Sequence, residues 1–546
     1  MSLPPRPGAA NAPVSINAAS LLREGQAGLK RGDFAAAADL AQTMLRADPR
    51  SAEAWVLLCV ALIRMGSADD ERALGDALSL IDPRDPAHPV LACERARILA
   101  ARGRCAEAVS LARLLELHMK LGPGQLDLLS NAYNNSGMYE DARRLADAAV
   151  FADVRNPVFG YSRALALRHV GQLVEAEAEF ERVIALAPDY AQAHYSLADV
   201  RRWTRSTHHI ERLQSALRSA RANSAPLAHL LFALFKEAHD IGDREIAWSA
   251  LQEGNAIVAA ETPYRSDERQ RYTAGLLRFF QGGLSAPPQD GPGPIPIFIV
   301  GLPRSGTTLV ERILSSHPDV TDMGETHGFT LAIRDALGLA RSGELDETAL
   351  GRLGGADWPG IAKRYLESLS HRSLTTRFFT EKLPHNYHLV GAMKRAFPQA
   401  RFVHLRRAPM DSLFGAYKVL FGTGAYTWSY GFEELTLNYR LYRKITDHWS
   451  SELGSQFADV TLEVLIADPE PEIRSMLSRI GLPFHEACLT PHEAKGGVST
   501  ASSAQVREPI NASGVGAWRK YANELEPLRR RLEADGYVDL NGDPVW

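Results

Sequence analysis

A glycine-bearing loop at residues 301–308 is the feature of this chain most suited to chemistry. Residues 295–300 before it are apolar and predict a buried parallel strand, and residues 309–314 after it have helical periodicity. The glycine spacing is that of a phosphate-binding P-loop, but Thr307 stands where a P-loop has its lysine. Backbone N–H groups at such a helix start bind anions, and Arg304 adds a planar guanidinium. The pattern predicts a phosphate or sulfate site and disfavours a magnesium-dependent ATPase.

The loop and its continuation resemble the sulfotransferases that use 3′-phosphoadenosine-5′-phosphosulfate (PAPS). Residues 303–308, 316–320 and 324–326 carry the resemblance and read Pro-Arg-Ser-Gly-Thr-Thr, Ser-His-Pro-Asp-Val and Gly-Glu-Thr. They resemble protein-tyrosine sulfotransferases and bacterial sulfotransferases with tetratricopeptide (TPR) repeats, over roughly the C-terminal half of the chain. The resemblance implies a binding loop for the 5′-phosphosulfate. The loop residues are Arg304, Ser305, Gly306, Thr307 and Thr308.

The same resemblance implies a catalytic base at Glu325. Tyrosyl-protein sulfotransferases have their base at this spacing, and a carboxylate in a partly dry site has a pKa raised toward that task. His327 is the second candidate, since cytosolic small-molecule sulfotransferases use histidine. The tyrosyl enzymes have arginine where this chain has His327, and this departure leaves the acceptor open.

Two more basic residues follow segments with strand patterns. Lys382, in Glu-Lys-Leu-Pro, resembles the family's lysine that contacts the bridging oxygen of the leaving group, where negative charge develops. Arg407 resembles the arginine that binds the 3′-phosphate. The serine expected eight residues later is Gly415, so Tyr417 or Lys418 would have to replace one phosphate ligand.

A C-terminal segment completes the implied cofactor site. Residues 505–511 resemble the family's last cofactor-binding segment. This implies that Arg507 reaches the 3′-phosphate and that Ser502 or Ser503 contacts the nucleotide. The basic residue that the family often has further on is Ala517 here.

Strand and helix patterns alternate throughout the C-terminal half. Strands are predicted at 295–300, 376–380, 400–405 and 457–462, with helices between them. This alternation predicts a P-loop-like α/β sulfotransferase domain with a mainly parallel sheet over residues 295–546.

A repeat of about 34 residues precedes that domain. Its glycines are 34, 37, 34 and 34 residues apart, at Gly32, Gly66, Gly103, Gly137 and Gly171. The period is that of TPR helix–turn–helix units, which stack into an all-α solenoid with a concave face. We therefore predict a flexible tail at residues 1–17, a TPR domain at 18–282 and a Pro/Gly linker at 283–294.

Composition restricts the classes of protein. The chain of 546 residues exceeds a single core, and its net charge of −4 does not support nucleic-acid binding. No apolar run is long enough to predict a membrane span. Scattered cysteines and a first segment without a signal-peptide core predict a cytoplasmic protein. Candidate metal ligands do not cluster, which predicts no metal. The sequence predicts no oligomeric state.

Together these features predict a PAPS-dependent sulfotransferase with an acceptor-recruiting TPR domain. Because concave solenoids bind extended peptides, we expect a polypeptide acceptor, with protein tyrosine favoured by the Gly-Glu-Thr resemblance. A glycan or a small molecule is the alternative acceptor. Two other classes stay open. Thr307 speaks against a P-loop kinase or ATPase, and Gly415 favours a non-catalytic TPR scaffold with a decayed sulfotransferase domain.

Overall fold

The structure is a computed structural model. It describes residues 17–65, 89–222, 227–282, 284, 293–339, 345–422, 425–493 and 508–546. The predicted cofactor residues Ser503 and Arg507 lie outside these ranges, as do Gly66 and most of the predicted linker.

The described part of residues 17–282 is helical. Its helices are α1 (Ala18–Arg31), α2 (Phe34–Ala47), α3 (Ala52–Met65), α4 (Pro89–Ala101), α5 (Cys105–His118), α6 (Pro123–Asn135), α7 (Tyr139–Ala152), α8 (Pro157–Val170), α9 (Leu173–Leu186), α10 (Ala191–Ala198), α11 (Ile210–Ala222), α12 (Ala228–Ile241), α13 (Arg244–Glu261) and α14 (Ser266–Phe279).

Glycine turns join these helices in pairs. Gly32 ends α1 with φ of 81°, a left-handed conformation that favours glycine. Asp33 then begins α2 by accepting a hydrogen bond from the N–H of Ala36 at 3.2 Å. Gly171 and Gly242 end α8 and α12 in the same conformation. The predicted all-α region of paired helices is confirmed.

Five parallel strands form the sheet of the C-terminal region. They are β1 (Ile295–Gly301), β2 (Val320–Asp322), β3 (Phe378–Lys382), β4 (Arg401–Arg406) and β5 (Phe457–Thr461), in the order β2-β3-β1-β4-β5. The predicted α/β domain with a mainly parallel sheet is confirmed. The sequence did not predict β2, because a three-residue strand is too short to display a period.

The helices of the C-terminal region are shorter on average. They are α15 (Thr307–Ser315), α16 (Gly328–Ala336), α17 (Glu347–Arg352), α18 (Trp358–Ser368), α19 (Val390–Ala396), α20 (Pro409–Tyr417), α21 (Phe432–Leu453), α22 (Leu462–Ala467), α23 (Pro469–Ile480) and α24 (Glu526–Ala534).

Strand β1 is buried along its whole length because both faces of the sheet are covered. Ile297 and Ile299 lie in a core cluster with residues of α15 and α23. On the other face, Phe298 packs against Phe402 with ring centroids 5.7 Å apart. This packing fixes the strand ends from which the site is built.

The described residues fall into two compact units. The first comprises Met1–Asp153, Thr330–Leu345 and Glu367–His371, and the second comprises Val154–Phe329, Asp346–Leu366 and Arg372–Trp546. The second unit therefore contains helices α8 to α14 as well as the five-stranded sheet. The domain boundary at residues 283–294 stays a prediction.

Helix α13 packs closely on the C-terminal region within the second unit. The ring of Trp248 lies 5.7 Å from that of Tyr521 and 6.0 Å from that of Tyr417. Arg244 forms an ion pair with Glu524. Helix α13 thus packs through an apolar contact on the C-terminal region of the same unit.

Candidate functional site

Three of the sequence-predicted site residues lie at the carboxyl ends of neighbouring strands. Arg304 follows β1, Lys382 ends β3, and Arg407 follows β4. Strand β1 lies between β3 and β4, with Ile299 opposite Lys382 and Gly301 opposite Leu405. The chain runs from β1 to β2 and β3 on one side and then crosses to β4 on the other. Open α/β sheets bind ligands at the carboxyl edge beside such a switch in strand order.

Close packing determines the shape of the loop after β1. At Gly301 a Cβ atom would lie 2.7 Å from the carbonyl oxygen of Leu405, so a larger residue does not fit. Gly306 has φ of 100° and precedes Thr307, where α15 begins. The hydroxyl of Ser305 is buried and donates to the carbonyl oxygen of Leu302 at 2.7 Å. Ser305 therefore stabilises the loop itself, and the start of α15 that follows it is the type of helix terminus that binds anions.

Arg407 joins this loop to the C-terminal segment. One of its terminal nitrogens donates to the carbonyl oxygen of Arg304 at 2.7 Å, and the other donates to that of Gly514 at 2.5 Å. Its Nε is buried and has no hydrogen-bond partner among the described residues. Asp411 holds the same segment by accepting from the N–H of Gly516 at 2.6 Å.

A cavity of about 140 Å³ lies between the loop and the C-terminal segment. It is lined by Arg304, Gly306, Thr308, Leu309, Arg407, Leu462, Ile466, Glu508, Pro509, Ile510, Asn511, Ser513, Gly514 and Val515. Two guanidinium groups, a threonine hydroxyl and helix-start N–H groups suit a ligand with several negative charges.

A third cation lies near these two arginines. Burial, together with the positive charges of Arg304 and Arg407, lowers the pKa of Lys418 to about 7. Gly415, one turn earlier, gives room to the loop, since a Cβ there would lie 3.1 Å from the Cβ of Arg304. Of the two residues proposed to replace the missing serine, Lys418 is the one beside the arginines. Tyr417 packs against Trp248 and Phe432.

Glu325 and Lys382 form an ion pair, although 57 residues separate them. The Lys382 side chain is fully buried, whereas that of Glu325 is 37% exposed. A second carboxylate, Glu311 on α15, lies 3.7 Å from the Lys382 ammonium on its buried side. Burial lowers the pKa of Lys382, but these carboxylates outweigh that effect and raise it above its ordinary value. Lys382 therefore stays positively charged at neutral pH.

The residue before Lys382 holds the loop that carries Glu325. Glu381 accepts hydrogen bonds from the hydroxyl of Thr326 at 2.9 Å, from Asn386 at 2.8 Å and from Tyr365. Burial raises the pKa of Glu381 to about 7, although these three donors oppose the rise. Adjacent residues of β3 thus bind adjacent residues of one loop, and this fixes the position of Glu325.

His327 lies across from a second histidine and a tyrosine. Its ring is 6.4 Å from that of His385, whose Nδ1 is 3.3 Å from the hydroxyl of Tyr426. Burial lowers the pKa of both histidines, that of His385 to about 3. Both imidazoles are therefore neutral at physiological pH.

Sequence reasoning missed three residues of this site: Glu311, Tyr426 and Asp199. One feature of Glu311 could have been noticed in the sequence, because it is a carboxylate on the apolar face of α15. Asp199 lies at the end of α10. Burial lowers the pKa of Arg304, and the negative charge of Asp199 opposes this fall. No local pattern connects α10 to the loop, because only the tertiary fold brings them together.

Among the described residues, no group of three or more His, Cys, Asp or Glu side chains is arranged to hold a metal ion. None of their helices is long and apolar enough to cross a membrane.

Comparison with known proteins places two families along the chain. Residues 296–486 match the sulfotransferase family, and residues 29–92 match the tetratricopeptide repeat. The N-terminal part is therefore similar in sequence to TPR repeats, and the C-terminal part is similar in sequence to the sulfotransferase family.

Curated relatives match part of the chain at low identity. An uncharacterized protein of Aquifex aeolicus is 27% identical over 396 residues, which are 69% of this chain and 50% of that protein. Protein-tyrosine sulfotransferase 1 of Danio rerio is 24% identical over 245 residues, which are 41% of this chain and 65% of that protein. The chain thus spans from half to about two thirds of the length of these relatives.

Solved structures of both types are similar to parts of the chain. The sulfotransferase domain of the Synechococcus PCC 7002 olefin synthase has a TM-score of 0.26 and 17% identity, and it covers 43% of this chain and 97% of its own. The TPR protein YrrB has a TM-score of 0.24 and 15% identity, with coverages of 39% and 98%. Scores this low add no weight beyond the family matches.

Proposed function

We propose that this TPR-bearing member of the sulfotransferase family transfers a sulfuryl group from PAPS to an acceptor hydroxyl. The observation that carries the proposal is the arrangement at the carboxyl edge of the sheet. There, a P-loop-like loop without the usual lysine follows β1. The neighbouring strand β3 ends at Lys382, which pairs with Glu325. A polyanionic donor and a proton acceptor are the two requirements of sulfuryl transfer.

The lining of the cavity fits PAPS. Arg304, Thr307, Thr308 and the N–H groups of the first turn of α15 would hold the phosphosulfate end. Arg407 would hold the 3′-phosphate, and its unpartnered Nε and the nearby Lys418 supply further donors. Ser503 and Arg507 are proposed to complete the nucleotide site. When bound, PAPS supplies an activated sulfuryl group attached to a phosphate leaving group.

The protein's own residues would handle the charge and the proton. Glu325 accepts the proton of the acceptor hydroxyl, and the ion pair with Lys382 holds this carboxylate in position. Lys382 places one positive charge where the leaving group becomes negative. Glu311 lies behind it, and burial raises the pKa of this carboxyl group well above its ordinary value, although the charge of Lys382 opposes the rise.

A polypeptide with an exposed tyrosine is the proposed acceptor. Relatives named protein-tyrosine sulfotransferase support this choice, and the TPR match supports recruitment of a protein chain. His327, at the position where the tyrosyl enzymes have arginine, supports the alternative of a glycan or small-molecule acceptor.

Equilibrium binding separates this function from its rivals. Calorimetric titration should show that adenosine 3′,5′-bisphosphate binds at least about tenfold more tightly than ATP with magnesium, and equally well with excess chelator present. Arg407→Ala should weaken this binding by about 10- to 100-fold, the scale of lost charge-assisted hydrogen bonds.

Arg474→Ala, which removes an exposed ion pair with Glu470, is the control and should bind normally. Preference for magnesium–ATP would support the kinase. Binding of neither nucleotide would support the decayed scaffold.

A further inference from the structure

Two non-glycine residues have positive φ in the described part of the chain, and both lie at the candidate site. They are Arg304, with φ of 66°, and Tyr426, with φ of 50°. A bulky residue in this conformation is strained and persists where surrounding contacts impose it, most often at functional sites. Arg304 already has a role in the donor site, whereas Tyr426 has none.

The contacts of Tyr426 place it beside the loop that carries the base. Its hydroxyl lies 3.3 Å from Nδ1 of His385, whose ring faces that of His327. His327 follows Glu325 by two residues. Burial raises the pKa of the Tyr426 phenol well above its ordinary value, and the negative charge of Glu325 raises it further. Tyr426 is therefore a neutral hydrogen-bond donor at every physiological pH.

Rings dominate the surroundings of this hydroxyl. Phe421 lies 4.7 Å from the Tyr426 ring, and Trp428 lies edge-on at 6.0 Å. Both histidines are neutral for the reason given above, so this wall provides aromatic surface and a few uncharged polar atoms. The wall thus differs from the cationic donor cavity.

We propose that Tyr426 positions the acceptor, and that the wall formed by His327, His385, Phe421 and Tyr426 binds the ring of a phenol. The Tyr426 hydroxyl donates a hydrogen bond to the acceptor oxygen and holds it toward Glu325, which takes its proton. Tyr426 acts through this placement of the acceptor and accepts no proton itself. The inference rests on the proposed sulfuryl transfer and narrows its acceptor to aromatic hydroxyls, including tyrosine side chains.

Kinetics with 4-nitrophenol and labelled PAPS test the proposal in the full-length protein. Tyr426→Phe should raise KM for 4-nitrophenol about tenfold, the effect of one lost hydrogen bond, and should change kcat less. Tyr426→Asn, which suits the left-handed conformation and removes the ring, should raise KM further. Both variants should bind adenosine 3′,5′-bisphosphate within about twofold of the wild type.

The variant Tyr430→Phe is a control in the same segment of the chain. It separates positioning of the acceptor by Tyr426 from a general loss of order in this segment. Tyr430 accepts a hydrogen bond from the N–H of Phe421 at 3.0 Å, so Tyr430→Phe loosens the loop and leaves the Tyr426 hydroxyl in place. Binding of 4-nitrophenol to the complex with adenosine 3′,5′-bisphosphate provides a readout independent of turnover, and Tyr426→Phe should weaken it about tenfold.

An unchanged KM in Tyr426→Phe, or an equal rise in Tyr430→Phe, would overturn the positioning role. Transfer to an oligosaccharide, with no binding or transfer to 4-nitrophenol, would overturn the aromatic acceptor and leave sulfuryl transfer intact. A wild-type protein that neither binds adenosine 3′,5′-bisphosphate nor transfers sulfate would instead refute the proposed function.

Discussion

Lys418 is the residue whose environment departs most from expectation at the donor site. Ordinary lysines titrate near pH 10.4, but burial and the charges of Arg304 and Arg407 lower its pKa to about 7. A polyanionic ligand in the cavity lined by Arg304 and Arg407 would oppose this effect, since its negative charge favours the protonated amine of the nearby Lys418. Ligand binding and proton uptake are therefore coupled at this residue.

The coupling predicts that affinity for adenosine 3′,5′-bisphosphate falls as pH rises from about 7 to 9. In that range the free protein has lost the Lys418 proton and must regain it on binding, whereas the phosphates of the ligand are already fully ionised. Titration calorimetry at pH 8 in buffers of different ionisation enthalpy should detect uptake of up to about one proton. Lys418→Gln should abolish the uptake and flatten the pH dependence. The same slope in both proteins would refute this role.

Residues whose partners lie far along the chain mark the limit of prediction from the sequence. Glu325 and Lys382 were found because each belongs to a motif with a family resemblance, and their contact across 57 residues agrees with that. Glu311 and Tyr426 have no such motif. Their significance comes from burial and backbone conformation, which depend on the folded protein.

Strand β3 holds the loop of the proposed base, because Glu381 binds Thr326 while Lys382 binds Glu325. Thr326→Val keeps the size of the side chain and removes this tether. We expect kcat to fall about tenfold, the effect of one hydrogen bond to a buried carboxyl group, with binding of adenosine 3′,5′-bisphosphate unchanged.

Thr321→Val is the matched control for this tether. Thr321 lies on the neighbouring strand β2. Its hydroxyl forms a hydrogen bond with that of Thr376 at 2.6 Å and makes none with Glu381. A wild-type kcat in Thr326→Val, or an equal loss in Thr321→Val, would show that the tether does not position Glu325.

The elements themselves were largely predictable from the sequence. Buried strands such as β1 read as apolar runs, and the period-34 glycines mark helix ends such as Gly32. Strand β2 was missed because it is short, and the packing of α13 on the C-terminal region was missed because Trp248 resembles any apolar helix residue until its partners are known.

At the scale of the molecule, we expect helix α13 to contribute to the stability of the C-terminal region. Trp248→Ala should lower the free energy of unfolding by about 2–4 kcal/mol, since it removes a large ring from contact with Tyr417, Phe432 and Tyr521. Val174→Ala, at a residue that is 80% exposed, should change it by less than about 0.5 kcal/mol.

Urea unfolding followed by circular dichroism measures both variants. Adenosine 3′,5′-bisphosphate should stabilise the same transition that Trp248→Ala weakens, because α13 and the donor site belong to one compact unit. Equal stabilities of the two variants would show that this contact carries no such role.

Transfer of labelled sulfate by Glu325→Gln tests the central claim most directly. The wild type should transfer label from PAPS to a phenolic acceptor. Glu325→Gln should bind adenosine 3′,5′-bisphosphate normally but lose about 10²- to 10⁴-fold in kcat, as expected for loss of a general base. His327→Ala should keep most of its kcat and should mainly raise KM for the phenol, because the acceptor wall loses one ring. Full turnover by Glu325→Gln together with an inactive His327→Ala would contradict the account and assign the proton to His327.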